Sequence, residues 1–190
     1  MCKFGFMGCG GSSREYIQPI DALGSAARVV AFCDLDGERA AALAAGREAR
    51  VYTDYRAMLA DEQLDAVFDN LPPFARSDEL VLAAKRGCAI FTTQPLGLDL
   101  DTARRSLAAI EAAGVINSVG YMFRYSGITD YARQLIADRP VAMVIGRVLG
   151  SMPGSWVSKG ALSGGQIVEQ STHIVDLARY FAGDVSSVYA

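Results

Sequence analysis

The sequence predicts an α/β protein: a doubly wound parallel sheet of the Rossmann type, followed by the start of a second α/β domain. Two observations carry this prediction. Short apolar runs of strand length alternate with longer stretches at helical spacing up to about residue 121. A glycine-rich turn, residues 8–13, stands between the first apolar run and the next helical stretch, where this fold binds phosphate.

Five apolar runs are expected to be buried strands. They are residues 3–8, 28–33, 65–71, 89–93 and 115–120. Three stretches between them have helical periodicity, with terminators such as Gly114. They are residues 37–49, 75–87 and 99–114. We therefore expect a nucleotide-binding domain over residues 1–121 and a second domain over residues 122–190.

Composition narrows the functional class. A net charge of −3 without a basic cluster argues against a nucleic acid or membrane partner. No apolar run has the length of a membrane span, and the amino terminus does not resemble a signal peptide. The four cysteines are scattered without the spacing of zinc ligands. We expect a cytoplasmic protein with reduced cysteines and no metal site.

The turn "GCGGSS" has the features of a dinucleotide-binding turn. Gly8 would make the tight turn, Gly10 would let the backbone approach a pyrophosphate, and serine takes the last fingerprint position. The backbone of residues Cys9, Gly11, Ser12 and Ser13 would complete the phosphate site at the helix start. By itself, the motif is equally compatible with an ordinary strand-to-helix turn.

Asp34 strengthens the case for a dinucleotide. It closes the second predicted strand, 24 residues after Gly10, where an acidic side chain can accept hydrogen bonds from the adenosine ribose. A carboxylate there repels a 2′-phosphate, which favours NAD over NADP. NADP is not excluded, because Arg39 could still reach such a phosphate.

Four segments in order resemble the glucose–fructose oxidoreductase and inositol dehydrogenase (Gfo/Idh/MocA) family. They are "GCGGSS" with "VVAFCDLDGERA", "LPPFARSDELVLAAKRG", "QPLGLDLDTARR" with "GVINSVGYMFRY", and "GGQIVEQSTHIVDLARYFAG". The resemblance covers essentially the whole chain. It implies hydride transfer between a nicotinamide and a sugar, inositol or related secondary alcohol, in a protein that forms homo-oligomers when full length.

The resemblance also implies roles for particular residues. Leu71 and Pro72 match the loop that passes beneath the cofactor, and Arg76 stands where a histidine is common. Gln94 replaces the family's lysine, which donates to the reacting oxygen, and Thr93 replaces its glutamate. Glutamine cannot shuttle a proton, so a catalytically impaired nucleotide-binding protein is the alternative function.

His173 is the only histidine, and the resemblance makes it the proton acceptor, positioned by Glu169. If residues 167–181 are helical, Glu169, His173, Asp176 and Tyr180 share one stripe. Carboxylates on both sides would favour the imidazolium. Two other interpretations remain open: a surface helix with weak side-chain contacts, and a metal-dependent lyase or hydrolase that uses the three ionisable residues as ligands.

Three further residues are substrate-contact candidates. Tyr121 and Arg124 follow the last predicted strand of the first domain, where the resemblance places cleft residues, although Arg124 could equally form an exposed salt bridge. Lys159, in a glycine- and serine-rich loop, could replace the missing lysine, but a simple connecting loop is the better interpretation.

The second domain is predicted to contain a strand at 141–149 and the start of another at 185–190. These cannot form a covered sheet alone. We expect the chain to be truncated; a complete small protein that pairs with a partner is the alternative.

Overall fold

The computed structural model describes residues 1–151 and 154–190. The chain forms two compact units, Met1–Val119 and Gly120–Ala190. The domain boundary expected from the sequence, after residue 121, lies two residues beyond this division. Among the described residues, no helix is both long and apolar enough to cross a bilayer.

The first unit contains a parallel sheet of six strands in the order β3-β2-β1-β4-β5-β6, which confirms the predicted doubly wound fold. The strands are β1 (Cys2–Met7), β2 (Ala27–Cys33), β3 (Arg50–Tyr52), β4 (Ala66–Asp69), β5 (Ala89–Thr92) and β6 (Asn117–Val119). The strand order reverses between β1 and β4. In such sheets the crevice outside the carboxyl ends of the strands at this point binds ligands.

Five helices connect these strands. They are α1 (Ser13–Ala22), α2 (Gly37–Ala44), α3 (Tyr55–Asp61), α4 (Glu79–Lys85) and α5 (Leu100–Ala113). Aspartate side chains that accept a backbone N–H begin α2, α3 and α5. The helix predicted over 37–49 ends early because the chain turns at Gly46, where φ is +76°. The helix predicted from residue 75 begins at Glu79, after a 3₁₀ turn at Pro73–Ala75.

The core lies on both faces of the sheet, as the alternation of side chains along a strand requires. Phe6, Phe32 and Phe68 belong to one buried cluster, in which the Phe6 and Phe68 rings stack 4.8 Å apart. Met7 and Val67, their neighbours in sequence, belong to the other cluster. Burial of each such side chain contributes about 1.5–3 kcal/mol. The ends of β1, β2 and β4 are thereby held in fixed positions.

The second unit is helical where it is regular. It contains α6 (Gly127–Ile136), α7 (Gly160–Ser163), a π-helical turn at Ile167–Ser171 and α8 (Thr172–Ala182). The predicted strands at 141–149 and 185–190 are wrong: both segments lack regular secondary structure. A strand needs a neighbour to pair its backbone groups, and no strand lies in the described part of this unit.

Candidate functional site

The turn after β1 requires a glycine at its first position. Gly8 has φ of +85°, and a Cβ there would lie 2.6 Å from the carbonyl oxygen of Asn70. Its amide donates to the carbonyl of Cys33, 2.8 Å away, which ties the turn to the end of β2. Any larger residue would push the ends of β1 and β4 apart, so the sequence argument for a tight turn agrees with the geometry.

The next residues present backbone amides to an open space. A Cβ at Gly10 or Gly11 would meet no atom within 4 Å. Within the described ranges, the amides of Gly10, Gly11 and Ser12 donate to no protein acceptor. Such amides, at the start of a helix, suit a pyrophosphate. The amide of Ser13, expected to join them, instead donates to the carbonyl of Gly10 at 3.1 Å.

Ser13 has a structural role that explains the missing third glycine. Its side chain is fully buried and donates to the Gly8 carbonyl at 2.8 Å. Asn70, which follows β4, donates from Nδ2 to the Ser13 hydroxyl at 2.9 Å and to the Ser12 hydroxyl at 3.3 Å. Sequence reasoning missed Asn70. Its position near the carboxyl end of the strand predicted over residues 65–71 was the available signal.

Asp34 lies at the end of β2, next to the turn. Its Oδ2 accepts from the Cys9 amide at 2.7 Å, and its Oδ1 accepts from the Asp36 amide at 2.9 Å. Each carboxylate oxygen keeps a further lone pair that could accept from a ribose hydroxyl. The Cys9 amide is therefore committed to Asp34 rather than to a phosphate. Burial, together with the Asp34 charge, raises the pKa of the Cys9 thiol to about 12, so the thiol stays protonated.

A cavity of about 390 Å³ opens beside this turn. Gly10 and Gly11 line it together with Arg14 and Arg39. Arg39 forms an exposed ion pair with Asp36 at 3.1 Å. Two arginines at the cavity supply the positive charge that a 2′-phosphate would need, which keeps NADP as an alternative to NAD.

A buried ion pair lies at the ends of β4 and β5. Arg76 donates from Nη1 to the carboxylate of Asp69 and to the Thr92 hydroxyl, the second at 2.6 Å. From Nη2 it donates to the Thr93 carbonyl at 2.7 Å and to the Thr93 hydroxyl at 3.0 Å. The side chains of Arg76 and Asp69 are 1% and 0% exposed. This pair fixes the segment directly before Gln94.

Three other residues to which the resemblance gives a role lie near the carboxyl ends of β4 and β5: Leu71, Pro72 and Gln94. The Leu71 amide donates to Oδ1 of Asp69 at 3.2 Å, and Pro72 precedes the 3₁₀ turn. Gln94 is half-buried, and its bond to Pro95 is cis. Arg76 and Thr93, which both differ from the residues common in the family, are therefore in contact, because Arg76 donates hydrogen bonds to Thr93. Nothing in the order of the residues indicated this contact.

In the second unit, His173 and Glu169 line a cavity of about 470 Å³. The imidazole packs against the rings of Phe123 and Tyr121, whose centroids are 5.0 and 6.0 Å away. Burial lowers the pKa of His173 below its ordinary value, and the charge of Asp176 offsets this only in part. The charge of Asp176 favours the imidazolium, as expected, but burial has the larger effect on the pKa. Burial also raises the pKa of Glu169.

The predicted ionisable stripe divides into two parts. A π-helical turn at Ile167–Ser171 breaks the regular 100° spacing on which it was drawn. Asp176 is buried and forms two hydrogen bonds with Arg124, at 2.7 and 2.5 Å. The Arg124 guanidinium also lies 5.0 Å from the Tyr180 ring centroid. Arg124 therefore forms a salt bridge with Asp176, and its side chain is half-buried rather than exposed.

The remaining candidates in this unit are more peripheral. Tyr121 shares a hydrogen bond of 3.1 Å with the Thr172 hydroxyl, at the start of α8. Lys159 is exposed and does not line the cavity of His173. Within the described ranges, no group of three or more histidine, cysteine, aspartate or glutamate residues could hold a metal ion. The three-ligand metal site on Glu169, His173 and Asp176 is not formed.

Sequence comparison relates the chain to known dehydrogenases. D-apiose dehydrogenase from Paraburkholderia graminis is 35% identical over 99% of this chain and 52% of its own length. D-xylose 1-dehydrogenase (NADP(+)) 2 from Haloferax volcanii is 31% identical over 73% of this chain and 44% of its own length. Scyllo-inositol 2-dehydrogenase (NAD(+)) from Bacillus subtilis is 30% identical over 69% and 39%. The chain spans about half the length of the first of these relatives and less of the others.

Structural comparison gives the same relationship. The WlbA dehydrogenase from Bordetella pertussis, solved with NADH and UDP-GlcNAcA, matches with a TM-score of 0.88 and 27% identity, over 99% of this chain and 57% of that one. A family profile for an oxidoreductase C-terminal domain matches residues 124–189. A profile described as "Oxidoreductase family, NAD-binding Rossmann fold" matches residues 2–121. The chain therefore belongs to the Gfo/Idh/MocA family of oxidoreductases and has its NAD-binding Rossmann fold.

Proposed function

We propose that the chain acts as an NAD(P)-dependent dehydrogenase on a sugar, inositol or related secondary alcohol. In the oxidising direction the substrate carbon gives up a hydride, its hydroxyl gives up a proton, and a carbonyl group forms. The relatives named for D-apiose, D-xylose and scyllo-inositol all act on polyhydroxylated compounds. This supports the substrate class, and the particular substrate is left to experiment.

The observation that carries the proposal is the turn after β1. Among the described residues, the amides of Gly10, Gly11 and Ser12 have no protein acceptor, and the space beside the two glycines is open. The Asp34 carboxylate stands beside them, where it can accept from the adenosine ribose. These residues fit a dinucleotide, and NAD fits Asp34 better than NADP does. When bound, the nicotinamide accepts the hydride.

His173 would accept the hydroxyl proton. A general base must be unprotonated at the working pH, and burial of the imidazole lowers its pKa in that direction. The cavity that His173 lines can hold a small polar molecule. Glu169 lines the same cavity, and its role would be to position the substrate or the imidazole.

Gln94 supports the alternative function, a nucleotide-binding protein with impaired chemistry. An uncharged amide can donate a hydrogen bond to the reacting oxygen but cannot transfer a proton to it. Removal of one acid–base group costs roughly 10²–10⁴ in rate. The Arg76 guanidinium does not replace the lysine, because its bonds to Asp69, Thr92 and Thr93 already occupy it.

NADH formation from NAD⁺ with a panel of sugars, inositols and sugar acids tests the proposal. The assay compares three proteins: wild type, Gln94→Lys and the matched control Gln63→Lys, which makes the same change at an exposed position. An active wild type, with Gln94→Lys changing its rate at most modestly, supports the dehydrogenase. An inactive wild type that Gln94→Lys activates sharply supports the alternative. A wild type that binds no NADH in a fluorescence titration refutes both.

The proposal also includes the cellular compartment and the oligomeric state of the protein. All four cysteines are free thiols, which suits a reducing, cytoplasmic compartment. Ile128, Ile145 and Leu149 are more than three-quarters exposed in the second unit. Exposed apolar side chains of this kind support the proposal that the full-length protein is a homo-oligomer.

A further inference from the structure

The cavity of His173 contains one permanent cation. Arg147 lines it, together with Phe123, Glu169, His173 and other residues. All of the lining residues belong to the described part of the chain, and Arg147 is the only arginine or lysine among them. The expected chemistry of the proposed reaction does not use this charge, because a hydroxyl proton moves to the imidazole alone.

Arg147 is not neutralised by the protein. None of the ion pairs or hydrogen bonds between described residues involves its side chain. Burial raises the pKa of Glu169, the carboxylate in the same cavity, and none of the ion pairs between described residues joins it to Arg147. Five N–H donors on the guanidinium therefore remain for a ligand.

The backbone next to Arg147 is anchored to the helix that bears His173. Gly146 lies so close to the side chain of Ile174 that a Cβ at this position would overlap it. Ile174 is the residue after His173 and lines the same cavity. This contact holds the start of the Arg147 side chain beside α8, although segment 141–149 has no regular secondary structure.

We propose that the cavity takes a sugar substrate that bears a carboxylate, and that Arg147 binds this group. The inference rests on the proposed function and narrows its substrate class to sugar acids. The two parallel donors of a guanidinium match the two oxygens of a carboxylate. Because Glu169 lines the same cavity, a ligand with a single negative charge is repelled less there than a ligand with a larger negative charge. A phosphate monoester, with a charge between −1.5 and −2, would leave negative charge uncompensated next to Glu169.

The test measures binding to the chain saturated with NADH, by titration calorimetry. Glucuronate is compared with glucose, galacturonate with galactose, and glucose 6-phosphate provides the phosphate arm. A hydrogen-bonded charge pair predicts that each sugar acid binds at least roughly tenfold more tightly than its parent sugar. We expect Arg147→Met to remove this preference and Arg147→Lys to retain part of it. Arg104→Met, which removes an exposed cation on α5, should retain all of it.

Three results would overturn the inference: equal affinity for acid and parent sugar, tighter binding of the phosphate, or a preference that survives Arg147→Met. Failure of the proposed function looks different. A protein that oxidises neutral polyols without preferring acids keeps the dehydrogenase and loses the carboxylate site. A protein that binds sugar acids through Arg147 yet forms no NADH from NAD⁺ keeps the site and loses the dehydrogenase.

Discussion

The buried ion pair at the ends of β4 and β5 predicts a large loss of stability when Arg76 is changed to methionine. Arg76→Met keeps most of the side-chain volume but leaves Asp69 in place, 0% exposed, with the Thr92 hydroxyl as its closest remaining donor at 2.8 Å. Removal of one partner of a buried pair costs about 3–5 kcal/mol. A protein of this kind has a total stability of about 5–15 kcal/mol.

Urea unfolding, with extrapolation to water, measures this cost. Arg104→Met is the matched control, since it makes the same substitution in a pair that is 3.9 Å apart and largely exposed on both sides. It should cost no more than about 1 kcal/mol. The double variant Arg76→Met with Asp69→Asn removes both charges. It should be more stable than the sum of the two single changes predicts, because neither charge is left alone.

The reasoning would be refuted if Arg76→Met destabilised the protein no more than Arg104→Met does. Strict additivity in the double variant would refute it as well, because the energy would then not come from the pair. The contacts of Arg76 with Thr93 make a second readout useful. If the pair positions the segment before Gln94, the affinity for NADH should fall in Arg76→Met at urea concentrations far below the unfolding transition.

Two further predictions concern Asp34 and His173. Asp34→Ala should weaken NADH binding at least roughly tenfold in a fluorescence titration, since hydrogen bonds to a charged acceptor are lost. The control Glu38→Ala, which removes an exposed acid on α2, should bind NADH as tightly as wild type does. Equal affinity of Asp34→Ala and wild type would show that Asp34 does not contact the nucleotide. His173, the only histidine, should titrate below 6.5 in proton NMR because burial lowers its pKa. The same resonance in denaturant should titrate near 6.5. Because the pKa of the folded protein lies lower, alcohol oxidation should keep its unprotonated base as the pH falls to about 6.5. A midpoint above 6.5 in the folded protein would contradict the role of burial.

The centre of the sheet could be predicted from the sequence because β2 and β4 are buried along nearly their whole length. Five apolar runs identified five strands, including the 89–93 run that became β5. β3 was missed because Arg50–Tyr52 has only three residues and its first two are exposed. The strands predicted at 141–149 and 185–190 failed for a different reason. Alternating side chains show that a segment can form a strand, but the described chain supplies no neighbour with which to pair.

The sequence could predict those residues of the candidate site whose position follows from the end of a strand. Gly8 and Asp34 end the first two strands, so their proximity follows from the fold class. Asn70 and the Arg76–Asp69 pair depend on contacts between residues that the chain order keeps apart. For His173, the charge of Asp176 raises the pKa as expected, but the larger effect of burial, which lowers it, was not predicted. Spacing along a helix shows which charges are near, whereas the loss of hydration on burial depends on packing.

The bond between the Asp34 carboxylate and the Cys9 amide has a consequence for cofactor engineering. Asp34 holds the amide of Cys9 in the turn after β1, and in the proposed function the same side chain would also accept from the adenosine ribose. An exchange at this position, made to accept a different coenzyme, also releases the loop from its support. Selectivity and overall affinity are therefore linked here. A coenzyme switch that retains tight binding would have to supply a new acceptor for Cys9.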